Sequence, residues 1–495
     1  MSNHVIFVLK FKLLECVRMK AKEIKIASIT INNFKNVCNG SLSLLNTRKN
    51  YRASIMGLYG QNGSGKTALI DAIELLQHAL CGRPIPEKYY DFINLDSNSA
   101  SFQFVFRVSL SSSEYALTYQ FSINRELRYR DQNTDSAQKT MKTVSISNEV
   151  LKCPIVTDKG AKMGRLIDAT DSLFSPISKR DLLIGKDKER LELLRKAKDR
   201  AEYESRSFIF SRDLLTLIRA NVQSKKDQND LDSELNLYFS LIESLVEFGN
   251  FGLFVINTAN SGIISLNTQP IIFKYDNKVE RTGAIGTIML PLDQPVLLGK
   301  KEKKLVEEII KSMNTVLNSI IPGLTVDVKD LGNQLMEDGS DGTRIQLLSC
   351  KNGRKIALKN ESEGVKKIIS ILQLLIVAYN QPTITVAVDE LDSGVFEYLL
   401  GELLRIISEK GKGQLIFTSH NLRPLETLDR GFIAFTTTNP NNRYIRLTNV
   451  KDNNNLRDFY YRDIMLGEQS EVLYETTNNA EIALAFREAG EYNGA

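Results

Sequence analysis

Hydrophobic and polar residues alternate through much of the first third of the chain. The alternation in residues 23–32 (EIKIASITIN) predicts a strand, and shorter runs at 41–45 and 53–59 predict two more. A glycine-rich turn then precedes an amphipathic pattern that predicts a helix from Lys66 to Leu80. Alternation returns in residues 101–151 and predicts three antiparallel strands, with the sequences SFQFVFRVSL, YALTYQFSI and TVSISNEVL.

The rest of the chain combines helical and strand patterns. Residues 178–247 have a charged helical pattern, residues 251–275 an extended pattern, and residues 301–321 an amphipathic helical pattern. In the last third, predicted strands and helices alternate in the order 343–348 (strand), 362–380 (helix), 383–388 (strand), 394–409 (helix), 414–417 (strand), 432–436 (strand) and 444–447 (strand). Strands separated by such helices predict a mixed sheet with a parallel core, covered on both faces. The expected fold class is α/β, with an antiparallel β subdomain and a helical insertion.

The composition is that of a globular protein with a core. Hydrophobic residues make up 42% and charged residues 25% of the 495 residues, which excludes disordered and collagen-like chains. No apolar run approaches the ~20 residues that a membrane helix needs, so we expect no membrane association. The five cysteines form no CxxC pair, which excludes common zinc fingers and fits a reducing, cytoplasmic compartment. Three histidines are too few for the metal sites of HNH, HD or zinc hydrolases.

Two segments differ from the rest in composition. Residues 1–18 are apolar, but Lys10 and Lys12 lie inside the apolar run, which is not the arrangement of a signal peptide. Either translation naturally begins at Met19 and residues 1–18 are an upstream extension, or they form a small extra strand or arm. Between Lys179 and Lys226, 14 Lys and Arg face 8 Asp and Glu, whereas the net charge of the whole chain is +5. The whole basic excess therefore lies in this segment.

The glycine-rich turn is a complete phosphate-binding loop of the GxxxxGK[ST] type. Its glycines allow the backbone N–H groups to point inward around a phosphate, and the next helix presents its positive N-terminus to the same anion. We expect Lys66 to contact the β- and γ-phosphates of ATP and Thr67 to bind Mg²⁺. The predicted nucleotide-binding residues are Gly60, Gln61, Asn62, Gly63, Ser64, Gly65, Lys66, Thr67 and Ala68.

A second acidic element follows far downstream. The apolar run 384–388 (ITVAV) ends in Asp389 and Glu390, which is the Walker B pattern. We expect Asp389 to bind Mg²⁺ and Glu390 to orient or deprotonate the attacking water. Two acids after a strand are a weak signal alone, since caps and turns have them too, but the phosphate loop upstream makes the signal strong.

Three further motifs resemble those of ABC-type ATPases. Ser362 and Gly364 open the helix before the Walker B strand, as in the signature motif that binds the γ-phosphate of nucleotide on the opposite subunit. Asp392 lies in a segment that resembles the D-loop, and we count it among the nucleotide-binding residues. His420 ends the next strand, where such ATPases carry a catalytic switch histidine. A capping serine and a structural histidine are the alternatives, and the order of all five motifs favours function.

Together the motifs resemble those of SMC-like, ABC-type ATPases of the AAA group over roughly residues 22–150 and 343–448. The insertion is shorter than 200 residues, so the chain is more similar to the OLD-type ATPases of bacterial anti-phage systems. The tail looks most like that of the AriA-type ATPases of the two-gene PARIS system. The resemblance divides the chain into an N-terminal extension (1–18), the first half of the ATPase head (19–150), a mostly helical basic insertion (151–342), the second half of the head (343–448) and a helical tail (449–495).

The resemblance implies ATP and Mg²⁺ as cofactors and a homodimer of heads, which assembles into a higher homo-oligomer. OLD nucleases carry a Toprim domain after the head, but only 75 residues follow His420 here. The acids Asp230 and Asp232 lie in a polar stretch that we interpret as a turn. The resemblance therefore implies a separate Toprim-type nuclease effector, a phage-encoded trigger protein and no nuclease activity in this chain. ATPases that work with Septu-type or retron-type nucleases are the alternative.

Three function classes remain to be distinguished. The first is a regulatory ATPase that restrains an effector, and the second is an SMC-like ATPase that binds or repairs DNA. The third, a transporter ATPase subunit, is disfavoured because the insertion lacks a short helical subdomain. Three interpretations of the basic segment stay open: contact with DNA or tRNA phosphates, contact with an acidic partner protein, and a solvated charged helical face. Its few aromatic residues argue against stacking on single strands, so DNA binding is not favoured.

Overall fold

A computed structural model describes most of the chain. The described residues are 7–8, 21–46, 48, 51, 53–129, 140–157, 160–171, 173–230, 232–257, 268–277, 282–291, 294–336, 339–448, 455–467 and 469–491. Apart from residues 7–8, the expected N-terminal extension lies outside these residues. Among the described residues, no helix is both long and apolar enough to cross a membrane.

The N-terminal part of the chain is built mainly from strands. The predicted helix from Lys66 to Leu80 is present with these bounds. The elements are β1 (Phe7–Val8), β2 (Ala21–Phe34), β3 (Val37–Ser43), β4 (Ser54–Tyr59), α1 (Lys66–Leu80), α2 (Tyr89–Phe92), β5 (Ser99–Leu110), β6 (Ser113–Tyr129), β7 (Thr140–Thr157) and β8 (Gly160–Asp168).

The middle of the chain contains four consecutive helices and then strands around one long helix. The charged helical pattern at 178–247 corresponds to the four helices. The elements are α3 (Ile177–Ile184), α4 (Lys188–Tyr203), α5 (Arg212–Asp227), α6 (Ser233–Glu247), β9 (Leu253–Ile256), β10 (Thr268–Asn277), β11 (Thr282–Pro291), β12 (Val296–Gly299), α7 (Lys300–Ile320) and β13 (Leu324–Leu335).

The C-terminal part alternates strands and helices before it ends in two further helices. The elements are β14 (Asp341–Lys351), β15 (Arg354–Ala357), α8 (Glu363–Asn380), β16 (Thr385–Val388), α9 (Glu397–Lys410), β17 (Gln414–Thr418), α10 (Pro424–Thr427), β18 (Ile433–Thr436), β19 (Tyr444–Ile445), α11 (Leu456–Leu466) and α12 (Asn479–Glu491). Thus each strand and helix predicted after residue 343 has a counterpart, with ends that differ by a few residues.

Five parallel strands form the centre of the protein. The sheet has the order β19-β18-β4-β17-β16-β9, and every neighbouring pair is parallel except β18 with β19. All residues of β4, β16, β17 and β18 are buried, as expected for a parallel sheet covered on both faces. The predicted α/β fold with a mixed sheet and a parallel core is confirmed.

A second sheet of six antiparallel strands has the order β3-β2-β5-β6-β7-β8. Along β5 every second residue is buried, and Phe102, Phe104 and Phe106 contribute to the core. The sheet is larger than the sequence indicated, because the expected domain boundary at residue 150 falls inside β7 and the sheet continues to the end of β8. Lysines and glycines in 151–168 interrupt the alternation there, which hid the last strand.

The expected insertion, residues 151–342, was predicted to be mostly helical, but it contains strands as well as helices. Helices α3 to α6 pack against one another and against the antiparallel sheet, and a buried carboxylate joins the two parts. Glu149 on β7 accepts hydrogen bonds from the Tyr119 hydroxyl (2.6 Å) and from the backbone N–H of Phe208 (2.7 Å). The other end of the expected insertion falls inside β14, and strands β8 to β13 lie within it.

A buried glutamine joins the two six-stranded sheets. Gln414, on β17 of the parallel sheet, is 1% exposed. Its Oε1 accepts a hydrogen bond from the Ile26 N–H (2.9 Å), and its Nε2 donates to the Ile26 carbonyl (2.8 Å). The Thr385 hydroxyl on β16 also donates to Oε1 (3.0 Å). One side chain therefore pairs with the backbone of β2 as a strand would.

We expect Gln414→Ala to lower the free energy of unfolding by about 2–6 kcal/mol. The change leaves both backbone groups of Ile26 buried without this partner, at about 1–3 kcal/mol each. Urea unfolding followed by circular dichroism measures the loss. The control is Gln334→Ala on an exposed part of β13, which should change stability by less than about 0.5 kcal/mol. Equal unfolding midpoints for the two variants would contradict the role assigned to Gln414.

Candidate functional site

The predicted site residues converge on one edge of the parallel sheet. Because neighbouring parallel strands point in the same direction, their carboxyl ends meet at one edge. The phosphate loop leaves β4 there, and Asp389 follows β16. His420 comes two residues after the end of β17, and Thr436 ends β18. Residues that lie up to 376 positions apart in sequence, from Gly60 to Thr436, are thus brought together by strand order.

The phosphate loop has the shape that its motif requires. Gly65, at the N-cap of α1, has φ +95°, a left-handed value that glycine adopts without strain. The first turn of α1 follows immediately and directs its free N–H groups and positive dipole end toward the loop. Lys66 is 7% exposed, and its Nζ donates to the carbonyls of Gly60 (2.8 Å) and Gln61 (2.9 Å). The ammonium group therefore lies within the loop.

Side chains from other elements support the phosphate loop from outside. The Ser64 hydroxyl donates to the Gln61 carbonyl (2.5 Å) and also contacts the Thr436 hydroxyl. The Tyr444 hydroxyl donates to the Gly65 carbonyl (3.0 Å). The Asn36 amide, from the turn between β2 and β3, donates to the Gly63 carbonyl. Both sheets and the C-terminal strands thus fix the loop.

The two Walker B acids have different environments. Asp389 is 2% exposed and accepts a hydrogen bond from the Thr418 hydroxyl (2.5 Å), whereas Glu390 is exposed. The Glu390 N–H donates to the same Thr418 hydroxyl (2.8 Å). Glu390 also has φ +46°, which is rare for a residue with a side chain and is often found at functional sites. Thr418 therefore positions both acids.

Asp392, in the D-loop segment, is hydrogen-bonded to the segment that carries the switch histidine, His420. Its Oδ2 accepts hydrogen bonds from the backbone N–H groups of His420 (3.1 Å) and Asn421 (3.0 Å). We predicted Asp392 as a nucleotide-binding residue, and in this structure its carboxylate holds the segment that carries the histidine. The His420 side chain is exposed at the sheet edge. The position of Asp392 thus sets the position of His420.

The predicted signature motif packs against the D-loop of its own chain. Ser362 is the N-cap of α8, and its hydroxyl accepts a hydrogen bond from the Val365 N–H (3.4 Å). A Cβ atom on Gly364 would overlap the carbonyl oxygen of Gly394, two residues after Asp392. This close backbone approach explains why a glycine is needed at 364. Ser362 itself is exposed, so its outer side is accessible to a second molecule.

Two buried lysines balance a cluster of three carboxylates. Burial lowers the pKa of the Lys66 ammonium, and the nearby carboxylates of Asp389, Glu390 and Asp392 oppose this shift. The same burial effect and the same three carboxylates act on the pKa of Lys367 on α8. The sequence analysis identified Lys66 but not Lys367, because a lysine in an apolar helix has no motif of its own.

A second set of polar residues was also missed. The Asp71 carboxylate, on α1, is buried and contacts the Lys35 ammonium and the Asn257 amide. Burial raises the pKa of Asp71, and the charge of Lys35 opposes this shift. Asn257 follows β9, the strand beside the Walker B strand, so it lies at the same sheet edge as Asp389. The only sequence signal for Asn257 is that it is a polar residue directly after a short strand.

The arrangement fits a nucleoside triphosphate with Mg²⁺. The phosphate loop offers inward N–H groups and the Lys66 ammonium, while Ala68 and the rest of α1 anchor the loop in the core. The Thr67 hydroxyl and the Asp389 carboxylate would hold Mg²⁺, which supplies positive charge to the phosphates when it is bound. The exposed Glu390 carboxylate can accept a proton from water, and His420 can donate a hydrogen bond to phosphate.

Comparison with known proteins gives matches of different extent. One curated relative, the SbcC component of the nuclease SbcCD from Clostridium acetobutylicum, is 26% identical over 239 residues, or 46% of this chain. This chain spans only 18% of that protein's length. Two solved structures also match. An Smc head bound to the C-terminal winged-helix domain of ScpA has 12% identity and a TM-score of 0.37, and the match covers 85% of this chain and 97% of that one. The SMC head of Thermotoga maritima has 14% identity and a TM-score of 0.33, and the match covers 87% of this chain and 99% of that one.

The family match covers far more of the chain. Residues 24–423 match the AAA ATPase domain family AAA_15, and this range contains the phosphate loop, the signature, the Walker B acids and His420. The match begins in β2 and ends before α10, so it includes the antiparallel sheet from β2 onward and four of the six strands of the other sheet, β4, β9, β16 and β17. This protein therefore belongs to the AAA_15 family of AAA ATPase domains, and it is an ATPase.

Proposed function

We propose that this ATPase is the regulatory subunit of an anti-phage defence system related to the AriA-type ATPases. In this role it assembles through its heads, holds a separate nuclease inactive and releases it when a phage protein is sensed. The observation that carries the proposal is the signature motif, which faces outward from the D-loop beside a nucleotide site on the same sheet edge. Such a site is completed by a second copy of the chain.

The nucleotide would lie between two heads. Ser362 is exposed at the N-terminus of α8, where a helix favours the negative charge of a phosphate. Its own hydrogen bond is to Val365, and its neighbour Gly364 contacts Gly394. A second head that presents Ser362 to the γ-phosphate would therefore also move the D-loop. Dimerisation would in this way change the positions of Asp392 and His420.

The distribution of charge supports a partner protein over DNA. At least eight of the fourteen cations between Lys179 and Lys226 form ion pairs within the chain, which leaves at most six for phosphates. They are Lys179, Arg180, Arg190, Lys196, Arg200, Arg206, Arg219 and Lys225. The segment is therefore closer to a charged, internally paired helical surface than to a phosphate-binding face.

A nuclease partner is consistent with the curated relative, whose name describes a subunit of a nuclease. The same likeness favours a second candidate function, an SMC-like ATPase for DNA repair. The two candidates differ in their response to salt. A DNA-binding ATPase should lose DNA affinity steeply between about 50 and 200 mM salt, whereas a protein scaffold should keep its partner over that range.

We expect Lys66→Ala to abolish ATP binding, because it removes the buried ammonium from the phosphate loop. Glu390→Gln should bind ATP, hydrolyse it poorly and accumulate as a closed dimer, because the base is lost while the loop and the signature remain. Equilibrium titration with ATP, steady-state phosphate release and size-exclusion chromatography with light scattering measure the three properties. Equal phosphate release by Glu390→Gln and the wild type would contradict the role of Glu390.

We expect Gly364→Ala to lower the ATPase rate at least tenfold, because the added Cβ must push α8 away from Gly394. ATP binding to a single head should change little, since the phosphate loop is not touched. The matched control is Gly490→Ala near the end of α12, where an added Cβ meets no atom within 4 Å. If both variants hydrolyse ATP at the wild-type rate, the contact between signature and D-loop does not matter for catalysis.

Expressed alone, the chain should hydrolyse ATP and, with Mg²⁺, cut neither DNA nor RNA. Phage protection should require the protein encoded by the neighbouring gene. We would challenge cells that express the chain alone, the neighbour alone and both together, and assay the purified chain on plasmid and tRNA. A nuclease activity of the purified chain that a point mutation in it removes would contradict the scaffold role.

A further inference from the structure

The C-terminal tail crosses the edge of the sheet at the phosphate loop. We call residues 471–476 the strap, because this extended segment lies between α11 and α12 and contacts the ends of β18 and β4. It belongs to none of the motifs discussed above, and it lies beyond the range of the family match. Its contacts are made at two places.

The first half of the strap is anchored next to β18. The Thr438 N–H donates to the Val472 carbonyl (2.8 Å). The Glu471 carboxylate accepts hydrogen bonds from the side-chain amides of Asn439 (3.1 Å) and Asn442 (2.8 Å). Leu473 is 2% exposed in the core that surrounds the parallel sheet. The strap is therefore held firmly on the nucleotide edge of the sheet.

The second half contacts the phosphate loop itself. The Glu475 N–H donates to the side-chain oxygen Oε1 of Gln61 (3.0 Å). The backbone carbonyl of Gln61 at the same time accepts hydrogen bonds from Lys66 Nζ (2.9 Å) and the Ser64 hydroxyl (2.5 Å). Gln61 is thus fixed by its side chain and by its backbone, and the strap stabilises the arrangement in which its carbonyl binds Lys66.

This arrangement competes with phosphate for the Lys66 ammonium. An ammonium group has three hydrogens to donate, and two are directed to the carbonyls of Gly60 and Gln61. One hydrogen remains, whereas contact with both the β- and the γ-phosphate needs two. At least one bond from Lys66 to a loop carbonyl must therefore break when the ammonium binds both phosphates of a triphosphate. Loss of the bond to Gln61 would remove one of the contacts that fix this residue, which the strap also holds.

We propose that the strap is an inhibitory contact, which weakens ATP binding through Gln61 and is released when ATP binds. The proposal rests on the nucleotide site proposed above. Because coupling between two contacts is reciprocal, ATP must weaken the strap by the same factor by which the strap weakens ATP. Helix α12 begins four residues after Glu475, and Ile482, Leu484 and Phe486 on it are exposed. Release of the strap is therefore passed directly to α12.

The test compares two substitutions at one residue. Glu475→Pro removes the backbone N–H that binds Gln61, whereas Glu475→Ala keeps it and removes only an exposed side chain. We expect Glu475→Pro to lower the dissociation constant for mant-ATP with Mg²⁺ by about twofold to tenfold, the effect of one hydrogen bond. Glu475→Ala should match the wild type. An unchanged or weaker affinity of Glu475→Pro relative to Glu475→Ala would overturn the proposal.

A second measurement uses the wild-type chain, so it does not depend on how the proline variant folds. Hydrogen exchange of residues 471–491 should become faster when ATP is added, and it should not change in Lys66→Ala. Slower exchange of the strap with ATP would overturn the inhibitory role. If the wild type binds no mant-ATP at all, the nucleotide site fails, whereas binding without an effect of Glu475→Pro leaves that site intact and removes only the strap.

Discussion

The order of the parallel strands is the constraint on which the whole site depends. In the order β18-β4-β17-β16-β9, the strand that precedes the phosphate loop lies between two strands from the other end of the chain. Their carboxyl ends then supply Thr436, the segment of His420 and the Walker B acids to one edge. No local segment could assemble this set, because each strand contributes only one or two residues. The buried amide of Gln414 ties this sheet to the antiparallel sheet, so the edge has a fixed neighbour.

Two short polar side chains and one close backbone contact connect the parts of this edge to one another. Thr418 bonds to both Walker B acids, and Asp392 bonds to the segment that carries His420. Gly364 and Gly394 bring the signature helix onto the same turn. These contacts form a continuous path from the signature, through the turn at 390–394, to the Walker B acids and the segment of His420. Such a connection suits an ATPase whose rate depends on a second molecule.

Much of the fold and the chemical centre could be predicted from the sequence, because both are encoded locally. Alternation and helical periodicity predicted the strands and helices. Lys66, Asp389 and His420 each lie in a short sequence motif of their own. The end of the antiparallel sheet could not be predicted, since lysines and glycines interrupt the alternation in β8. Lys367 and Thr418 were missed for a different reason. Their roles arise from neighbours across the fold, and a lysine in an apolar helix or a threonine at a strand end is common in any protein.

The proposed strap would give the nucleotide site a second point of control. In the proposed dimer the signature would approach the phosphates from another head, whereas the strap reaches Gln61 from within the same chain, on the β18 side of the loop. One hydrogen bond at Gln61 changes affinity by a modest factor, about tenfold at most. That is too small to switch a site off, but it is enough to make occupancy depend on what binds the C-terminal helix. An ATPase that controls a partner needs such a graded connection between its nucleotide and an exposed segment.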